Sequence, residues 1–265
     1  MPKLHVNNLD FYYDIVGGGQ SVVFISGVSS DHAGWLGSQV PDFIAAEFRC
    51  LVFDNRDVGQ TGESPIPSYG IAQFADDTVA LIRQLNFGRT HIIGASMGGM
   101  IAQEIALNHP DCVRSLTLVC TTSKADLYMI NAIEAWKTAA AKMTREEFLQ
   151  LRMPWLFTHR FYQRSDVMDA YRRRVLGNPH PQSVAAFHRQ CEALIAHDTL
   201  NRLTSIKFPT HVVVGAEDIL IPPRHSQMIA ERIPGARLTV LPDTGHCLFW
   251  ETPTAFNRAV LNFLK

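Results

Sequence analysis

The chain lacks the usual marks of metal, nucleotide and nucleic-acid chemistry. It has no Cys-x-x-Cys, no His-Glu-x-x-His and no helical histidine pair, so no metal site is expected. Its 265 residues hold five cysteines. These are Cys50, Cys112, Cys120, Cys191 and Cys247, scattered and odd in number, which suits reduced structural thiols better than a disulfide frame. Neither sign of charge predominates: 24 basic residues face 25 acidic ones, for a formal net charge of -1. That balance speaks against a polyanion-binding surface, so no nucleic-acid partner is expected. The one basic run, Arg172-Arg173-Arg174, reads as the solvated side of a helix. Gly17-Gly18-Gly19 lies between two early strands and reads as a hairpin turn rather than a phosphate cradle, and no cofactor is expected. No apolar run approaches the roughly 20 residues of a membrane span. The start, Met1-Pro2-Lys3-Leu4-His5-Val6, has no apolar signal segment, so the expected compartment is the cytosol, with no membrane partner.

What is present is more specific. Thr90-His91-Ile92-Ile93 reads as a buried strand and Met100 to Leu107 as a helix. Between them stands Gly94-Ala95-Ser96-Met97-Gly98-Gly99. A serine among small residues at a strand-to-helix turn is a nucleophile elbow. The turn strains the serine backbone and pushes its hydroxyl clear of the sheet. Gly94 and Gly98 are small because a side chain there would strike strand or helix, and Gly99 lets the helix pack close. The helix start brings free N–H groups and partial positive charge toward any oxyanion nearby.

A serine hydroxyl is a weak nucleophile at neutral pH and needs a base. Two later strands end in the required groups. Pro209 to Asp218 ends in an acidic turn, and Leu238 to His246 ends in a loop histidine. The chain order is therefore Ser96, Asp218, His246, each where a strand gives way to a loop, the edge at which parallel sheets build sites. His246 would take the Ser96 proton, and Asp218 would fix the imidazole tautomer. Glu217 is a competing acid. Asp218 is preferred because Ile219-Leu220-Ile221-Pro222 follows it, where the chain can turn toward the histidine.

With these pieces the chain resembles an α/β-hydrolase over essentially its whole length. The matching segments are Ser26-Gly27-Val28 after the strand Val22 to Ile25, Phe53 to Thr61, Gly94 to Gly99, Gly215 to Pro222, and Gly245-His246. Within that fold it is similar to small esterases and lactonases such as the 3-oxoadipate enol-lactonase group and the aclacinomycin-type methylesterases. The resemblance implies a mostly parallel twisted sheet flanked by helices, with a helical cap insertion. It also implies an oxyanion hole built from the backbone N–H groups of Val28 and Met97. Relatives usually carry His-Gly-X where this chain has Ser26-Gly27-Val28, so the loop from Gly27 to Trp35 needs another support, for which Ser29, Ser30 and Asp31 are candidates.

Regular strand-helix alternation stops after Cys120. Residues 124–206 have helical spacing and no convincing strand, so the expected organisation is a core of 1–123 and 207–265 with a helical cap of 124–206. The alternative is a lateral bundle remote from Ser96. A cap would exclude water and form an apolar pocket. Trp35 and Trp155 are the candidate walls, each equally open to ordinary core packing. Leu220 and Cys247 are further candidates through their neighbours Asp218 and His246, while Trp250 is expected behind His246. No arginine can be aimed into the pocket from sequence, although acid-specific lactonases would need such a cation. The expected function is cofactor-free hydrolysis of a small to medium carboxylic ester or lactone through a Ser96 acyl-enzyme. Carbon–carbon bond hydrolysis, thioester hydrolysis and acyl transfer would use the same groups, and a non-catalytic receptor retaining them is the alternative of a different class. Haloalkane dehalogenation and epoxide opening are disfavoured, because they need a carboxylate nucleophile at the elbow and residue 96 is serine. A homo-oligomer remains open.

Overall fold

The computed structural model describes residues 2–265. Strands β1 (Lys3–Val6), β2 (Leu9–Gly17), β3 (Gln20–Ile25), β4 (Phe48–Phe53), β5 (Thr90–Ala95), β6 (Val113–Val119), β7 (Thr210–Gly215) and β8 (Arg237–Leu241) form one sheet. Their order is β1-β2-β4-β3-β5-β6-β7-β8. β1 pairs antiparallel with β2, and β2 antiparallel with β4; every other pairing is parallel. Asn7 and Asn8 both take positive φ and close the β1–β2 hairpin, as a two-residue turn of that twist requires.

The glycine triplet does not form the expected hairpin. β4 lies between β2 and β3, so the link from β2 to β3 wraps around the start of β4. A Cβ on Gly17 would come within 2.3 Å of the Phe48 carbonyl oxygen, and one on Gly19 within 2.0 Å of that of Glu47. The glycines there serve close backbone approach.

Helices α1 (Ala33–Leu36) and α2 (Gln39–Ala45) connect β3 to β4, α3 (Ile71–Gln84) connects β4 to β5, and α4 (Met97–Asn108) connects β5 to β6. Five helices lie between β6 and β7: α5 (Leu127–Lys142), α6 (Arg145–Leu156), α7 (His159–Tyr162), α8 (Ser165–Leu176) and α9 (Val184–Ile195). α10 (Pro223–Arg232) precedes β8, and α11 (Leu248–Glu251) and α12 (Pro253–Leu264) follow it.

Both faces of the sheet are covered. Along β3, Val23 and Ile25 join the apolar cluster with α3, α4 and α10, while Val22 and Phe24 join the one with α2 and α12. Central strands buried on both sides need near-continuous apolar sequence, and every residue of β5 and β7 is buried. Each fully buried Val, Leu or Ile there contributes about 1.5–3 kcal/mol. α4 is buried from Met97 to Ala106; most of that stretch is apolar, and its polar members Gln103 and Glu104 are hydrogen-bonded, to the Thr122 carbonyl and the Thr199 hydroxyl and to Arg202.

The insertion between β6 and β7 is tied at its neck. Lys124 and Asp198 form an isolated antiparallel bridge and a 2.6 Å ion pair. On α9, Arg189 pairs with the buried Asp57 at 2.7 and 2.8 Å, joining the insertion to the loop after β4.

Three buried histidines give the fold an acid limit. Burial holds His91, His197 and His211 down to about 4. In the unfolded chain each would titrate near 6.5. Their stabilising effect is complete above about 6.5 and is lost as pH falls toward 4, because the unfolded state then binds protons that the folded state refuses. Each can remove up to about 1.4 kcal/mol per pH unit in that window. Thermal melts from pH 7 to pH 4.5 should show a falling Tm; a flat Tm would contradict this account.

Candidate active site

The elbow is built as the residue types require. Ser96 sits at φ 57, ψ -118, between the end of β5 and the start of α4, a strained conformation for a residue with a side chain. Its N–H donates to the Val119 carbonyl at 2.9 Å, and its own carbonyl accepts from the Thr121 hydroxyl at 2.7 Å. These bonds hold the turn. A Cβ on Gly94 would lie 2.1 Å from the Gly98 carbonyl oxygen, and one on Gly98 would lie 2.1 Å from that of Ile25. Both glycines are therefore dictated by contact.

Asp218 follows β7 and is buried; Glu217 is exposed. One carboxylate oxygen of Asp218 accepts the N–H groups of Leu220 and Ile221 at 3.0 and 2.9 Å. The other meets His246 Nδ1 at 2.8 Å. The loop carrying His246 is held by Glu251, which accepts from the Gly245 N–H and from the Thr158 hydroxyl and N–H. Burial raises the Glu251 carboxyl above its usual range. Ser96 and His246 then share the wall of one cavity, of about 290 Å³, close to the lower bound for small-ligand sites.

The buried Cys120 thiol lies near this pair. Its sulfur and one donor atom each from Asp218 and His246 fall within 4.8 Å of one another. The set is a poor cation site. Both Asp218 oxygens are already engaged, and burial raises the Cys120 thiol well above its ordinary range, so the thiolate a metal needs is disfavoured.

The oxyanion-loop candidates also meet here. A Cβ on Gly27 would approach the Ser96 Cβ to 3.1 Å, so the backbone leading to Val28 passes against the serine. Val28 lines the cavity. Met97 is the first residue of α4, where an N–H has no partner within the helix. Of the expected supports, the Ser30 hydroxyl donates to the Val28 carbonyl at 3.5 Å, and further supports come from residues the sequence did not point to. The Ser26 hydroxyl accepts from the Trp35 indole at 3.0 Å, and Asn55 donates to the Ser26 carbonyl at 3.0 Å. From α9, Gln190 accepts the Ser29 N–H and donates to the Arg56 carbonyl, both at 2.9 Å. Asp31 is turned to the insertion, accepting from Arg174 and Asn178.

Trp35, Leu220 and Cys247 line the cavity. Trp35 is also core, stacked on Phe249 at 4.9 Å. Trp155 is a correction: it is not in the cavity wall. It packs beside Tyr128 and Trp136, and Trp136 supplies the wall. Trp250 and Arg174, expected elsewhere, also reach the cavity, with the Arg174 guanidinium 4.6 Å from the Trp250 ring centre. The sequence reading missed Gln190 and Arg152. Arg152 had a visible signal, since it interrupts the apolar spacing Phe148, Leu149, Leu156 along one helix.

A family model described as "alpha/beta hydrolase fold" matches residues 20–253. A protein of Mycobacterium tuberculosis named "Putative non-heme bromoperoxidase BpoC" is 30% identical, the match covering 96% of this chain and 97% of that one. A protein of Azorhizobium caulinodans named "Putative carbamate hydrolase RutD" is 28% identical over 99% of this chain and 98% of its own. The crystal structure of the enol-lactonase from Burkholderia xenovorans LB400 superposes with a TM-score of 0.89 at 26% identity, covering 99% of both chains.

Proposed function

The chain belongs to the alpha/beta hydrolase fold family, and from that premise we propose that it hydrolyses a small to medium carboxylic ester or lactone through an acyl-enzyme on Ser96. The observation that carries this is the 2.8 Å Asp218–His246 bond beside a strained elbow serine in one cavity wall. With Nδ1 engaged by Asp218, Nε2 is the nitrogen left to take the Ser96 proton. Attack on the carbonyl gives a tetrahedral oxyanion, held by the N–H groups of Val28 and Met97. His246 then protonates the leaving alkoxide, and the acyl group stays on Ser96. Water, deprotonated by His246, repeats the attack and frees the acid. Helices 124–206 act as the cap in this reading, since Trp136, Phe148 and Arg152 share the cavity wall with Ser96.

A panel of p-nitrophenyl and aliphatic esters, lactones and a carbamate tests the reading, together with mass spectrometry after treatment with a phosphonate. Ester or lactone turnover with a single adduct on Ser96 is expected. Turnover of the carbamate alone would favour the chemistry named for the Azorhizobium relative. Phosphonate labelling without turnover of any substrate would favour a receptor.

Gln190 is a positioning residue for the Val28 amide. Gln190→Leu, close in volume, removes the bond that ties α9 to this loop at the Ser29 N–H and the one that ties it to the loop after β4 at the Arg56 carbonyl. Loss of a whole oxyanion donor costs about 2.7–4 kcal/mol; a displaced one should cost part of that, roughly a tenfold fall in kcat. KM should change less than about twofold, because the ground-state carbonyl needs the hole least. Steady-state kinetics separates this from a loosened pocket, which would raise KM instead.

A further inference from the structure

Arg152 has no described partner for its charge. Phe148, Leu149, Arg152 and Leu156 all line the cavity, and their spacing sets them on one face of α6. Its guanidinium carbon lies 4.6 Å from the ring centre of Phe148, 5.7 Å from that of Trp136 and 5.8 Å from that of Phe187. Its Nε is buried with no hydrogen-bond acceptor among the described residues. The titratable groups near enough to act on it are Tyr171, Cys191 and Cys247, none of them a carboxylate. Burial draws the guanidinium below its ordinary range, yet arginine keeps its proton at neutral pH.

The other arginines of the cavity are satisfied. Arg145 donates to the carbonyls of Val175 and Leu176. Arg174 pairs with Asp31 at 3.1 Å. Arg152 is left as the uncompensated charge of an aromatic-walled chamber. Ring faces answer part of that charge, but they offer no oxygen to the N–H fork of this half-buried side chain, and a desolvated Nε without an acceptor weakens the fold. Tyr171 lines the same cavity, and burial raises its phenol to about 12, so it is a neutral donor there.

We propose that the substrate carries a carboxylate as well as its ester or lactone bond, and that Arg152 binds this carboxylate while the scissile carbonyl lies at Ser96. A carboxylate matches the guanidinium fork in shape and cancels its single charge. Tyr171, in the same cavity wall, offers a neutral hydroxyl as a further donor. The acid specificity rests on the ester-hydrolase reading; the anion site itself does not.

The test pairs monomethyl glutarate with its neutral isostere, in which an isopropyl group replaces the carboxylate. The wild type should favour the acid in kcat/KM on the order of ten- to a hundredfold, the usual range for a charge-assisted contact. Arg152→Met should remove that preference by slowing the acid ester, leaving the neutral ester within about threefold. Arg152→Lys should keep part of it. Independently of turnover, glutarate should raise the Tm of Ser96→Ala and fail to do so when Arg152→Met is added. Equal losses on both esters would make Arg152 a structural residue and overturn the proposal. So would a wild type without preference, together with no shift by glutarate, and neither of these needs a variant at 152. If both esters are inert while glutarate still binds through Arg152, the hydrolase reading fails and the anion site stands.

Discussion

Replacing Ser96 by alanine is expected to lower kcat for any substrate ester by about a million-fold, the scale seen when a hydrolase loses its nucleophile. The fold should survive. Ser96 N–H and C=O, which bond Val119 and Thr121, are backbone groups that alanine keeps. Circular dichroism and an unchanged Tm would establish that, and burst-free kinetics at high enzyme concentration would measure the residue of activity. Retention of more than about a tenth of wild-type turnover would exclude an acyl-enzyme on this residue.

The second large effect concerns the acid. Asp218→Asn should cut kcat/KM by about ten-thousandfold, as the same change does where a histidine tautomer depends on it. The carboxylate here is an acceptor on both oxygens, toward two backbone N–H groups on one side and His246 on the other. An amide must turn its NH2 to one of them. Facing the backbone, it sets donor against donor; facing His246, it favours the tautomer with the proton on the wrong nitrogen. Glu217 is exposed and its side chain is free of these contacts, so Glu217→Gln should stay within about twofold. The reverse ranking in a side-by-side assay would reassign the acid.

The elements legible in the sequence were those whose cause is local. β5 and β7 announce themselves as apolar runs because both faces are buried, and the elbow does so in part because Gly94 is forced by its contact with Gly98 within one turn, although Gly98 itself answers to the Ile25 carbonyl of β3. The order Ser96, Asp218, His246 follows from strand ends meeting at one edge. The errors arose where tertiary packing decides. Helical spacing gives α6 a face but not its direction, so the sequence alone does not show that Trp136 rather than Trp155 reaches the cavity. The glycine triplet matched a hairpin in composition, and nothing local shows that β4 inserts between β2 and β3. Gln190 meets the Ser29 amide across 161 residues, and no local pattern carries such a contact.

That last contact bears on how this molecule can be re-engineered. Exchanging helices 124–206 for those of a relative is an obvious way to give it a new substrate range. The graft would also remove Gln190 from the Ser29 amide, Arg189 from Asp57 and Arg174 from Asp31. On the proposed reading, substrate choice and rate are thus not separate modules in this chain. A transplanted roof that fits a new molecule perfectly would still sit over a slackened hole, unless the donor brings an amide at the position of Gln190 or the recipient loop is rebuilt to stand alone.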